Sequence, residues 1–412
     1  MKTTKTRSRS GRAKILAPSA RLSVGDPSQL VTALRSSKTV SGATHQFYRY
    51  PARFSPDFAR EAIRLFSAPG DVVLDPFMGG GTSAVEALAE GRTFCGNDIN
   101  ELALFVSKVK TSLLTLGDEV RILDWASSLP AWLNLAEEEP EEECWKPYQK
   151  HLPWRLRKLF AQALSTIEAL KKGPQQDFAR CSLLVTAQWA LDCKGQIPSK
   201  DRVLTEHQTQ LAKMIAGSQD FRARASRSLG GGTAQFAKNR VLMCGDTSDL
   251  HTSYDVARLG RPKLVVTSPP YLGVHVLYHR WQILGRRETG APYWIANASD
   301  GHSGVFYTLA DRKPNARERY LQRLTECFSS IRKITSKKTN IVQLVAFPDP
   351  DIELPLYLQA LDQAGLEQCE LVPGNGRRSA SQRQVPNRRW YARLSNQSQS
   401  STEFLLIHRQ KR

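Results

Sequence analysis

At 412 residues, 41% hydrophobic and 24% charged, the chain can build one large domain or two ordinary ones around an ample core. No apolar run approaches the roughly 20 residues that cross a bilayer, which excludes a membrane-spanning helix. The seven cysteines (Cys95, Cys144, Cys181, Cys193, Cys244, Cys327 and Cys369) show no paired spacing, so neither a metal site nor a disulfide framework is expected and a reducing, cytoplasmic compartment fits. Lys and Arg number 58 against 39 Asp and Glu, a net charge of +19 that favours a polyanionic partner, with solubilising charge as the alternative.

The opening MKTTKTRSRSGRAK is basic and lacks the apolar core of a secretory signal, so residues 1–40 read as a flexible basic tail. From His45, HQFYRYPARFSP forms an aromatic, proline-punctuated turn, and the spacing of Phe58, Ile63 and Phe66 then predicts an amphipathic helix. Gly70 ends it. DVVLDPF begins a sheet, SAVEALAEG is a short helix closed by Gly91, and TFCGNDIN is a second strand ending at Asp98. The unit has the length of a parallel βαβ crossover.

Residues 101–240 differ, with the helical texts LRKLFAQALSTIEALKK, FARCSLLVTAQWAL and LTEHQTQLAKMIAG around an acidic EEEPEEE linker. They predict a mostly helical insertion in an α/β domain. FRARASRSLGGGTAQF, at 221–236, reads as a flexible basic loop. Strands resume at RVLMCGD, KLVVTSPPY and NIVQLVAF, and EFLLIHR is expected as a late edge strand.

Two motifs follow buried strands, where open α/β sheets bind ligands at the carboxyl ends. In DPFMGGGT, Asp75–Thr82, three glycines permit positive φ and close approach of a ligand. With Asp98 placed to meet a ribose, this turn suits an adenosine-containing cofactor, nicotinamide or other, but without a P-loop lysine it does not suit a nucleoside triphosphate. Asp246 in CGDTSDL is either a further adenosine contact or a helix cap. In TSPPY, two prolines stiffen the turn after Ser268. Acceptors at the Ser268 hydroxyl and the Pro269 carbonyl suit a planar amine, and Tyr271 can stack on it. A nicotinamide enzyme gives this turn no task.

DPFMGGGT, the acid of GNDIN, the CGD strand end and SPPY together resemble the S-adenosylmethionine-dependent DNA amino-methyltransferases, which modify cytosine N4 or adenine N6. The resemblance covers about residues 45–100 and 240–350. It implies a seven-stranded, Rossmann-like class I methyltransferase sheet, with a catalytic domain of residues 41–100 and 241–412. Residues 101–240 would then carry target recognition. It further implies S-adenosylmethionine held by Phe54, Asp75, Pro76, Phe77, Gly79, Gly81, Thr82, Asp98 and Asp246, and catalysis at Ser268, Pro269, Pro270 and Tyr271. Serine at the first catalytic position resembles the cytosine-N4 branch.

The implied partner is duplex DNA with its target base flipped, in a bacterial or archaeal type of cell that can also hold a cognate restriction endonuclease. Candidate phosphate contacts are Arg222, Arg224, Arg227, Arg377, Arg378, Arg388 and Arg389. His275, Tyr278, His279 and Trp281 are candidates to line the flipped-base site, or else to pack a helix. Alternatives are an adenine-N6 enzyme, an RNA or protein amide methyltransferase, and an inactive DNA-binding relative.

Overall fold

The computed structural model describes residues 20–23, 25–36, 40–50, 55–138, 143–192, 195–229, 233–271, 280–284, 287–301, 307, 309, 315–347, 349–372, 382–384 and 402–411. Eleven strands are formed among them: β1 (Ala20–Ser23), β2 (Val72–Asp75), β3 (Thr93–Asp98), β4 (Arg240–Cys244), β5 (Leu264–Thr267), β6 (Trp281–Ile283), β7 (Arg287–Thr289), β8 (Asn340–Ala346), β9 (Leu366–Val372), β10 (Gln382–Gln384) and β11 (Thr402–Gln410). The main sheet runs β1-β9-β11-β8-β5-β2-β3-β4, with β10 paired to β11 off that path. Seven of its strands form the Rossmann-like class I arrangement: β4, β3, β2, β5 and β8 are parallel, and β11 runs antiparallel between β8 and β9. The remaining two are additions, β1 parallel to β9 at one edge and β10 antiparallel to β11.

Two expectations are corrected here. EFLLIHR is no edge strand: β11 is interior, and Phe404, Leu405, Leu406 and Ile407 are all buried because both its neighbours and both its faces are covered. Nor is all of 1–40 a tail, since β1 joins the sheet and α1 (Ser28–Arg35) buries Leu30 and Leu34 in the core.

Helix α2 (Pro56–Phe66) buries Phe58, Ile63 and Phe66, as its 3.6-residue period requires. It packs against α3 (Thr82–Ala89), which follows the glycine turn and ends before Gly91, at φ 78°. Beyond β3 come α4 (Glu101–Lys110), α5 (Leu116–Trp132), α6 (Trp154–Thr166), α7 (Pro174–Leu191), α8 (Lys200–Leu229) and α9 (Thr233–Lys238). The predicted basic loop at 221–236 is therefore mostly helix. Phe221 and Ala225 are fully buried and share a core with α3 residues, which removes the freedom a loop would have.

Beyond β4 come α10 (Tyr254–Leu259), α11 (Ala291–Ala296), α12 (Ala316–Ile334) and α13 (Pro350–Gln363). The small β6–β7 hairpin and α11 leave the main sheet and bury Trp281, Ile283, Tyr293 and Ile295 in one core with α5–α8. The helical section, β6 and α11 thus share a single core. Among the described residues no helix is long and apolar enough to cross a membrane.

Two buried histidines make this interior sensitive to acid. His207 on α8 contacts the Ser182 hydroxyl, and His408 on β11 contacts the Gln343 amide. Burial pushes their pKa down to about 4 and about 3. Unfolded histidine titrates near 6.5, so the stability these neutral rings contribute is full above that pH and is lost as pH falls towards 4 and below. Asp75 and Asp98, raised to about 6, act in the opposite sense below that pH. A His207→Gln, His408→Gln double variant isolates the effect. Relative to it, the parent protein should lose roughly 3 kcal/mol per histidine between pH 6.5 and 3.5 in denaturant titrations. Parallel stability curves for the two proteins would refute this.

Candidate active site

Strands β2 and β5 are parallel neighbours, so their carboxyl ends bring the two motifs to one edge of the sheet. Asp75 ends β2 with its carboxylate fully buried. Oδ1 accepts from the Thr267 hydroxyl (2.7 Å) and the Phe77 N–H (3.1 Å), and Oδ2 accepts from the Ser83 hydroxyl (2.5 Å). Burial raises its pKa to about 6 against the pull of these three bonds.

The glycine turn is shaped largely by the protein's own packing. Gly79 and Gly81 have φ of 49° and 72°, in the left-handed region. A Cβ on Gly80 would come within 2.6 Å of the Tyr50 Cβ, and one on Gly81 within 2.5 Å of the Ser107 Oγ. From α4, Ser107 donates to the Gly79 carbonyl (3.0 Å) and the fully buried Lys110 ammonium donates to the Gly80 carbonyl (2.7 Å). Two residues one helical turn apart therefore hold two successive carbonyls of the turn. Thr82 and Ser83 then open α3. Neither Ser107 nor Lys110 had a local sequence signal, because both lie in an ordinary amphipathic helix.

Asp98 ends β3 and is partly exposed. Oδ2 accepts from the Gly79 N–H (2.8 Å) and Oδ1 from the Asn100 N–H (2.9 Å). Burial raises its pKa to about 6, with these backbone bonds working the other way. A carboxylate has about four acceptor positions, so both oxygens retain capacity for hydroxyl donors. Asn100 extends the site: its amide donates to the Tyr50 hydroxyl (3.2 Å), and its Oδ1 accepts from Tyr293 of α11 (3.1 Å). The Tyr293 oxygen lies 3.0 Å from the Tyr307 hydroxyl, which donates to Asp300 (2.7 Å).

Asp246 is a cap. Its Oδ1 accepts from the Ser248 N–H (2.8 Å), and Oδ2 pairs with the Arg323 guanidinium of α12. Although burial works upward, those two partners hold its carboxyl below the usual range. Asn97, from within β3, donates to the Gly245 carbonyl (2.9 Å), and Thr247 donates to the Pro76 carbonyl (2.7 Å). The β4 end is thereby tied to the first motif.

In the second motif Ser268 donates to the Tyr271 hydroxyl (3.0 Å), which donates in turn to the Leu344 carbonyl (3.4 Å). Tyr320 of α12 donates to the Pro270 carbonyl (2.8 Å), and Pro269 is buried. With its proton donated to Tyr271, the Ser268 oxygen retains acceptor capacity.

Other candidates are not brought to this edge. Arg224 bonds the buried Glu86 carboxylate (2.9 Å), which also accepts from His45 (2.6 Å) and Arg60 (2.8 and 2.9 Å). Arg222 bonds Glu119 (2.7 Å) and the Leu114 carbonyl. Both are internal pairs, not phosphate contacts held out to solvent. Arg227 is exposed. Trp281 is buried and donates to the Tyr48 hydroxyl (3.1 Å), the packing role. Phe54, Arg377, Arg378, Arg388, Arg389, His275, Tyr278 and His279 lie outside the described residues.

Residues 27–108 match the family described as DNA methylase, which groups N6 and N4 enzymes. Over 72 residues (17% of this chain) the sequence is 44% identical to the Type II methyltransferase M.MvaI of Kocuria varians, covering 16% of that protein. It is 30% identical over 77 residues (19%) to the Type II methyltransferase M.MjaII of Methanocaldococcus jannaschii, covering 14% of it. It is 39% identical over 54 residues (13%) to the orphan methyltransferase M.BamHII of Bacillus amyloliquefaciens, covering 20% of it. These alignments thus span a fifth or less of each relative's length.

The packing around the turn gives a direct test. Gly81→Ala forces a side chain into a left-handed position and against Ser107, costing roughly 1–2 kcal/mol for the backbone and about 1–3 for the crowding. Chemical denaturation should show that loss, and an unshifted midpoint would contradict the close approach of α4.

Proposed function

We propose, from the match of residues 27–108 to the N6/N4 DNA methylase family, that this chain is an S-adenosylmethionine-dependent DNA methyltransferase acting on the exocyclic N4 amine of cytosine. The observation that supports the reading is the polarity of the second motif: the Ser268 hydroxyl donates to Tyr271, which leaves its oxygen able to accept from an exocyclic amine, and serine at this position favours the cytosine-N4 branch. An exocyclic amine on a planar base is a poor nucleophile because its lone pair is delocalised. Acceptance of its N–H groups by Ser268 Oγ and the Pro269 carbonyl favours a pyramidal nitrogen and returns that lone pair to the attacking position. The prolines and Tyr320 keep the turn stiff, so the geometry exists before the substrate arrives.

The residues of the first motif fit the cofactor. Asp98 offers acceptor capacity to the ribose hydroxyls, and the glycine turn, with Pro76, Phe77 and Thr82, provides the surrounding backbone. When bound, S-adenosylmethionine supplies an electrophilic methyl group. The chain's contribution is to hold the base beside it and exclude water. With the two motifs at the carboxyl ends of interior strands, a duplex would deliver its target base by flipping it out of the stack. The net charge of +19 supports a polyphosphate substrate, and the named relatives support a role in restriction and modification.

Parallel incubation of labelled S-adenosylmethionine with mixed-sequence duplex DNA, RNA and protein, followed by digestion of the nucleic acids to nucleosides, identifies the substrate and the base. Label in N4-methylcytosine is the expected result, label in N6-methyladenine refutes the N4 assignment, and label confined to RNA or protein refutes DNA as substrate. Ser268→Ala should lower single-turnover methylation by about 100-fold while cofactor affinity stays within about twofold, as expected for a hydrogen bond that strengthens in the transition state. An unchanged rate would remove Ser268 from the mechanism.

A further inference from the structure

We propose that Asp75 is a positioning residue that locks the catalytic turn onto the cofactor turn through Thr267, and is not itself a ligand of the cofactor. The proposal rests on the methyltransferase reading above for its kinetic consequences, and on geometry alone for its structural ones.

The geometry is specific. Thr267 is the residue immediately before Ser268, and Ser83 stands in the first turn of the helix that follows the glycines. Phe77 belongs to the cofactor turn between them. One carboxylate therefore collects donors from the end of β5, from the cofactor turn and from α3. Asp75, Thr267 and Ser83 are each fully buried. The backbone register of β2 with β5 runs through Val73–Leu264 and Leu74–Val265, and the Asp75–Thr267 bond lies just beyond it. At the point where the two motifs leave the sheet, a side-chain bond continues the joint.

The chemistry explains the residue type. The three donors are two hydroxyls and an N–H, and an ionised carboxylate accepts from all three without presenting a donor of its own. Asparagine would direct an NH2 group at one hydroxyl and force it to reorient. Ser268 is one residue from the lock, so a small shift of Thr267 moves the acceptor that must meet the amine, and positioning errors of this kind are costly in rate.

Three variants separate this role from cofactor binding. Thr267→Val removes the hydroxyl at nearly constant shape, Thr267→Ser restores it, and Asp75→Asn alters the acceptor. We expect Thr267→Val and Asp75→Asn to lower single-turnover methylation tenfold or more, with the equilibrium Kd for S-adenosylmethionine within about threefold of the parent. Thr267→Ser should recover most of the rate. Amide exchange of residues 264–268 should rise in Thr267→Val and Asp75→Asn and not in Thr267→Ser, a readout that needs no methyl transfer.

A tenfold loss of cofactor affinity in Asp75→Asn, with the rate intact in Thr267→Val, would make Asp75 a cofactor ligand and overturn the proposal. So would unchanged exchange at 264–268 in both altered proteins. If the parent protein transfers no methyl group to DNA, the methyltransferase reading fails, and the exchange data still decide whether the lock exists.

Discussion

Everything chemical in this chain depends on one neighbour relation, the parallel pairing of β2 with β5. Parallel strands deliver their carboxyl ends to the same side of the sheet, so the glycine turn after one and the SPPY turn after the other lie side by side. The pairing is secured by burial on both faces: Val73, Leu74, Leu264 and Val265 are each at most 1% exposed. Had β5 sat at the sheet edge, DPFMGGGT and TSPPY would still be well-formed turns, but they would not share a site.

Around that edge the polar groups are satisfied by protein partners from distant segments. Lys110 comes from α4, Tyr50 from the strap before α2, Thr247 from the turn after β4 and Tyr320 from α12. Each supports a turn whose own sequence says only that it is a turn. Such support is what keeps reacting groups in place on loops that would otherwise move. It also accounts for three glycines in a row. Gly79 and Gly81 answer to backbone conformation, while Gly80 answers to the approach of Tyr50.

What could be read in the sequence divides along the same line. The strands VVL and KLVV, the glycine turn and SPPY were legible because each is an apolar run closed by residues with strong local preferences. The place of β11 was not, since EFLLIHR has the same composition at an edge or in the interior and only its partners, β8 and β9, decide. LEQCELV, which forms β9, mixes charge with apolar residues and gave no strand signal at all. The end of α8 is hidden for a related reason: Arg222, Arg224 and Arg227 have the composition of a basic loop, and only the packing of Phe221 and Ala225 against α3 makes the segment helical. The joining of β6, β7 and α11 to the helical section is wholly non-local, and no periodicity announces it.

The arginines carry the sharper lesson, because they change what the net charge means. Glu86 is fully buried, and burial alone would push its carboxyl up. The hydrogen bonds from His45 and Arg60, with the charge of those partners, instead hold it down at about 2. Arg224 joins the same carboxylate, and Arg222 is spent on Glu119. Removing one member of so buried a group would strand charge in a medium that solvates it poorly, so these cations are committed to the fold. A sum over the sequence counts them equally with Arg227, which faces solvent. Under the proposed function, the attraction for a polyphosphate would come from cations outside such pairs, and their arrangement, rather than the +19 itself, would select a path for a duplex.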